Sequence, residues 1–155
     1  MAGWEGTGYR LPTEAEWEYG GRGGDARATY NGELQSDGDS QDATLEPMAW
    51  YHANSSKQTQ EVGLLDANGF GLHDVLGNVW EWCWDFYGPY AEPKGDPDVD
   101  PVGPRDSQWR VHRGGSWSAL ARFVRAALRA GDEPDWRNDD HGLRVVRSSP
   151  WHENP

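Results

Sequence analysis

Apolar positions along this chain are sparse and clustered, and the elements they predict are short. Tyr9-Arg10-Leu11-Pro12 reads as a brief extended piece running into Thr13-Glu14-Ala15-Glu16, where Thr13 and the glutamate three residues on make a capping box. The helix beginning there should run to about Tyr19, before the glycines at 20, 21, 23 and 24 end it. Residues 24–47 are polar, rich in Asp and Gly and without period, which predicts an excursion over the surface. From Val62 to Tyr87 the chain becomes aromatic, and residues 88–106, with five prolines, read as a second long loop. In the last third Val111 precedes Arg113-Gly114-Gly115-Ser116-Trp117. Val124, Ala126 and Leu128 then alternate with Arg125, Ala127 and Arg129, which favours a strand over a short helix, and Leu143, Val145 and Arg147 alternate with Arg144, Val146 and Ser148. Short strands, one capped helix and long irregular connections add up to a single α+β domain over residues 1–155, with its core at about 8–148.

Composition changes what the core must be made of. Leu, Val, Phe and Ile together supply only 22 of 155 residues, and the net charge is -12, a combination usual in disordered chains. Ten Trp and six Tyr restore the missing surface, since a large aromatic buries about 150–250 Å² and brings a polar group that needs a partner. A folded, polar, aromatic interior is therefore expected. The acidic total argues against nucleic acid as a partner, because phosphate binding relies on a broad basic surface. No apolar run approaches the ~18 residues of a membrane span and no basic-then-apolar leader opens the chain, so cytoplasm is the default, with surface display if a signal has been removed. The one cysteine, Cys83, lies between Trp82 and Trp84, where a buried, inert thiol is expected.

Three groups of residues bear on chemistry. Asp74, Gly77, Val79 and Glu81 place two carboxylates about a glycine turn and could offer hard oxygen ligands to calcium; equally, Asp74 could be a turn-former and Glu81 a partner for a core arginine. Arg113, Arg125, Arg129, Arg137 and Arg144 are set among tryptophans, either to fix the interior by forked pairing and stacking or to line an anion pocket. The histidines show no metal-ligand spacing such as His-x-x-x-His, and neither a phosphate loop nor a Gly-x-Ser-x-Gly elbow occurs.

Four phrases occur in order: Gly8 to Tyr19 (GYRLPTEAEWEY), Gly69-Phe70-Gly71-Leu72 with Leu76-Gly77-Asn78-Val79-Trp80-Glu81-Trp82, Arg113-Gly114-Gly115-Ser116-Trp117, and Gly142-Leu143-Arg144-Val145. Together they resemble the formylglycine-generating enzyme family, also called sulfatase-modifying factor. The resemblance implies a loop-rich variant of the C-type lectin fold, with an N-terminal portion of the usual domain missing here. It implies a structural calcium ion held by the side chains of Asp74 and Glu81 and the carbonyls of Gly77 and Val79; at a second family site, Asn54 and Ser55 match the start but Lys57 to Leu65 is too short for the rest. Members that convert cysteine to formylglycine use copper and a cysteine pair just after the Gly-Gly-Ser-aromatic motif. Ser118 to Val124 contains no cysteine, so no copper is expected, thiolates being the soft ligands Cu(I) requires.

Residues 110–147 also resemble the C-terminal segment of the variable proteins of diversity-generating retroelements, a non-catalytic branch of this fold. The resemblance implies a fixed frame of Arg113 to Trp117, Arg125-Ala126-Ala127, Pro134, Arg137 and Gly142 to Val145. Between them lie exchangeable, ligand-binding positions: Ser118, Ala119, Leu120, Phe123, Leu128, Ala130, Asp132, Glu133, Trp136, Asp139, Asp140 and His141. Two readings result, a non-catalytic domain that binds a protein or other macromolecule at this face, or an enzyme of the formylglycine-generating family, truncated or inactive, that modifies a cysteine or thiol substrate.

Overall fold

The computed structural model describes residues 8–90, 101 and 103–148. In chain order the elements are β1 (Tyr9–Arg10), α1 (Glu14–Arg22), β2 (Trp80–Phe86), β3 (Arg110–Arg113), a 3-10 turn (Ala121–Phe123), β4 (Arg129–Asp132), β5 (His141–Gly142) and β6 (Val146–Arg147). The strands form a four-stranded sheet in the order β4-β3-β2-β5 and a two-stranded ribbon of β1 with β6 that brings the two ends of the described chain together. This is the α+β, loop-rich architecture expected. The loop expected over 88–106 lies largely outside the described residues.

Helix α1 starts as the capping box dictates: Glu16 N–H donates to Thr13 Oγ1 at 3.1 Å, and Thr13 N–H donates to the Glu16 carboxylate at 2.8 Å. It continues past Tyr19 to Arg22, farther than the glycines suggest. The Asn68 amide donates to the carbonyls of Gly20 (2.7 Å) and Gly21 (3.2 Å), satisfying the helix's last acceptors, and the left-handed Gly23 then ends it. Its inner face carries Trp17 and two glutamates instead of an aliphatic stripe.

The polar stretch 24–47 is less of an excursion than its composition suggests. Asp42 is 1% exposed, and its carboxylate accepts four backbone N–H groups, from Gln35, Ser36, Thr44 and Leu45. That buried anchor folds the loop inward and delivers Leu45, Met48 and Tyr51 to a core shared with Trp17, Leu76, Cys83, Val111 and Val124.

Two expected strands are reorganised. The alternating run at 124–129 does not form one: Val124 and Ala126 are buried, but Val124 N–H closes the 3-10 turn onto Ala121 and Ala126 N–H reaches the carbonyl of Ala28, so pairing in the sheet begins only at Arg129. Near the C-terminus the alternating run is divided between β5 (His141–Gly142) and β6 (Val146–Arg147). Arg144 turns inward to Glu81, while Leu143 and Val145 are exposed.

Candidate functional site

Strand alternation divides the four-stranded sheet into two chemically distinct faces. Glu81 is opposite Arg113, and Arg113 opposite Arg129. This inner face meets α1. The Arg113 side chain is fully buried, ion-paired to Glu18 and, at 3.6 Å, to Glu14; it also donates to the carbonyl of Ala127 at 3.0 Å and lies over the Trp17 ring. Arg129 forks onto Glu14 at 2.5 and 2.7 Å and stacks on Tyr90. Arg144 forks onto Glu81 at 2.8 and 3.0 Å, and the Trp17 indole donates to the same carboxylate at 2.7 Å.

Of the five arginines singled out, Arg113, Arg129 and Arg144 are thus structural partners of carboxylates, with no anion pocket among them; Glu14, Glu18 and Asp85 make the cleft beside Arg129 acidic. Arg125 is half-buried and donates to the carbonyl of Arg122, whereas Arg137 is exposed, at odds with an inward role.

The opposite face carries Trp80, Trp82, His112, Ala130, Asp132 and His141. Trp82 is opposite His112, His112 opposite Ala130, and Trp80 beside His141 across the parallel β2–β5 pair. The rings of His112 and His141 are 4.7 Å apart, with Trp80 against His112 at 4.8 Å and Trp82 against both histidines at 5.3 and 5.6 Å. His112 Nε2 is 3.0 Å from the Asp132 carboxylate, and His141 Nε2 is 3.7 Å from the same oxygen. Burial and the neighbouring His141 lower the pKa of His112 to about 4. His141 Nδ1 is 2.8 Å from Asp140, whose other oxygen accepts from the hydroxyls of Ser116 and Ser118, both at 3.1 Å.

Among the exchangeable positions, the structure therefore gathers Ala130, Asp132 and His141 on this face, with Ser118 attached through Asp140. Asp140 itself is buried and acts as a fixed support. Ala119, Leu120 and Phe123 form another group at the 3-10 turn, which is tied to the 37–38 loop by Arg122 to Asp37 (2.8 Å) and Ala121 to Gly38 (3.3 Å). Leu128 is half-buried just before β4, and Glu133, Trp136 and Asp139 are exposed on the following loop. His112 is the member that spacing could not reveal. It stands 29 residues from His141 and 20 from Asp132, and only pairing of all four strands, β4-β3-β2-β5, brings them together; the available signal was its place one residue before Arg113, on the opposite side of the strand.

The segment 74–81 is a tight backbone corner. Gly77 has a φ of 77°, and a Cβ there would lie 2.3 Å from the carbonyl oxygen of Trp50, so only glycine fits. Asp74 Oδ2 accepts from Gly63 N–H at 2.7 Å, while Asp74 Oδ1 is buried with no hydrogen-bond partner among the described residues. Glu81 is the partner of a core arginine, yet its carboxylate has about four acceptor positions and the fork from Arg144 with the Trp17 indole uses three. The orphaned Asp74 oxygen and the spare position on Glu81 suit a hard cation. Cys83 is buried, and burial raises its thiol pKa, so it stays protonated at neutral pH.

A family model for the sulfatase-modifying factor enzyme 1-like domain matches residues 1–149. The formylglycine-generating enzyme of Streptomyces coelicolor is 39% identical over 152 residues, covering 92% of this chain and 48% of that protein. The serine/threonine-protein kinase pkn1 of Chlamydia caviae is 36% identical over 142 residues, covering 90% of this chain and 21% of that protein. The solved structure of Treponema denticola variable protein 1 superposes with a TM-score of 0.79 at 38% identity, over 90% of this chain and 47% of that one. The chain spans about half the length, or less, of these relatives. No helix among the described residues is long and apolar enough to cross a membrane. The fold is the loop-rich C-type lectin-like fold of formylglycine-generating type, and the chain belongs to the sulfatase-modifying factor enzyme 1-like domain family.

Proposed function

We propose that this domain is a non-catalytic binding module, of the kind found in retroelement variable proteins, that engages a protein or other macromolecule through the outer sheet face and the loops following β3 and β4. The observation that supports this reading is the division of labour across the sheet. Ion pairs and Trp17 fix one side, while Ala130, Asp132 and His141 stand among tryptophans on the other, continued by exposed Glu133, Trp136 and Asp139. Exposed aromatics beside small and polar positions are the composition of a binding surface, where aromatic anchors dominate the energy. The likeness to Treponema denticola variable protein 1 supports the same reading.

The family also contains enzymes, so fold alone does not decide. Against formylglycine formation, Ser118 to Val124 has no thiol and Cys83 is buried away from solvent. A peptide bearing a sulfatase-type cysteine, incubated with the protein, copper and oxygen, is expected to keep its thiol mass. Appearance of the aldehyde product in proportion to the protein would replace this reading with the enzymatic one. We further propose a structural calcium ion between Asp74 and Glu81, with the carbonyls of Gly77 and Val79 completing its ligands. It would hold the corner from which β2 departs.

A further inference from the structure

We propose that His112, Asp132 and His141 form a site for a divalent transition-metal ion, of the class zinc represents, on the outer sheet face. Each contributes one ligand atom, and these atoms lie within 4.8 Å of one another. Two imidazoles and one carboxylate are a borderline-soft donor set that suits zinc, cobalt, nickel or ferrous iron in preference to calcium, which prefers oxygen.

His141 Nε2 is the atom that points to a bound ion. Its Nδ1 faces Asp140 at 2.8 Å and donates there, which turns Nε2 toward Asp132. That Nε2 is buried without a hydrogen-bond partner among the described residues, in a side chain 8% exposed, and lies 3.7 Å from an Asp132 oxygen. A positive charge between these two atoms, a proton on the ring or a metal ion, makes the approach favourable, and a metal ion would engage His112 Nε2 as well. His112 Nε2, 3.0 Å from the same oxygen, completes the triangle.

The surroundings of His141 are those a metal-ligating histidine needs, while His112 Nδ1 is buried without a partner among the described residues. A carboxylate on the far ring nitrogen sets the tautomer and orientation, and Asp140 is itself held by the hydroxyls of Ser116 and Ser118. Trp80 and Trp82 wall the imidazoles on the sheet side. Asp132 is 40% exposed, so the ion would have solvent on one side and keep positions open for a donor from outside. Donors around a tetrahedral zinc ion are about 3.3 Å apart, so the triangle needs to close by at most about 1.5 Å along its longest edge.

The test is calorimetric titration of chelator-stripped protein with zinc chloride, with calcium held in excess so that Asp74 and Glu81 do not report. Cobalt absorption in the visible serves as a second readout of ligand type. One zinc per chain is expected, together with a cobalt spectrum of nitrogen and oxygen ligation. Asp132→Asn, at a half-exposed position that leaves the core untouched, and His141→Gln should each weaken zinc binding by more than about 100-fold, and Asp140→Asn by about 10–100-fold through loss of orientation. Circular dichroism checks each fold; if His141→Gln unfolds, Asp132→Asn decides. Failure of the parent protein to take up zinc stoichiometrically at micromolar concentrations overturns the site, as does undiminished binding by folded Asp132→Asn.

Discussion

Arg113→Ala should unfold at markedly lower denaturant, with a loss of about 3–5 kcal/mol, the range found when one member of a buried pair is removed. The Arg113 side chain is fully buried, is paired to both inward glutamates of α1 and reaches the carbonyl of Ala127 on the approach to β4. It joins the helix, the sheet and the segment leading into the proposed binding face. Glu18 keeps Arg22 and Glu14 keeps Arg129 when it is removed, so the loss comes from the emptied, fully buried guanidinium site and the Ala127 carbonyl left without its donor. Arg129→Ala should cost less, because Arg129 is itself 17% exposed and the Glu14 it leaves keeps Arg113 at 3.6 Å. Denaturant titrations followed by tryptophan fluorescence check both. A loss under about 1 kcal/mol at Arg113 would mean that the ion pairs are incidental and the aromatics alone hold the frame.

Chelation should produce the second large effect. An ion bound only by the native state adds about 2.7 kcal/mol at a hundredfold excess over Kd, and for a domain of this size each kcal/mol moves Tm by about 2–4 °C. EDTA should therefore lower Tm by about 5–10 °C, and restored calcium should recover it. Asp74→Asn is the clean variant. Asp74 has a φ of 55°, which Asn tolerates, and the amide oxygen can still accept from Gly63 N–H while the charge is lost. It should melt near the chelated parent and ignore added calcium. Metal-free parent protein whose Tm is indifferent to calcium would remove the ion from the account and leave Asp74 as a turn residue.

Much of the frame was legible in the amino-acid sequence because it rests on local rules. Thr13 and Glu16 announce the helix start, the Gly77 corner follows from a motif, and Glu81 and Arg144 could be named as candidates for internal pairing. What escaped depends on partners far away in the chain. Asn68 lengthens α1 by donating its amide to the last carbonyls, and Asp42 buries a stretch whose composition reads as solvent-facing. The histidine cluster is the extreme case. A spacing rule looks along one helix or loop, whereas these ligands come from β3, β4 and the start of β5 and meet only through sheet pairing. Arg137 shows the converse: its place in a motif suggested an inward role, yet it is exposed and no ion pair among the described residues draws it in.

The central claim is that a fixed frame carries a replaceable binding face. A display library exchanged together at Ser118, Leu120, Phe123, Glu133, Trp136 and Asp139, with His112, Asp132, Asp140 and His141 kept, tests it most directly when sorted for folding and then for binding to a panel of unrelated proteins. Most members should fold, with stability changes within about 0.5 kcal/mol per site, and different members should bind different panel proteins. Library members that unfold as readily as Arg113→Ala, or that fold and bind none of the panel, would contradict it.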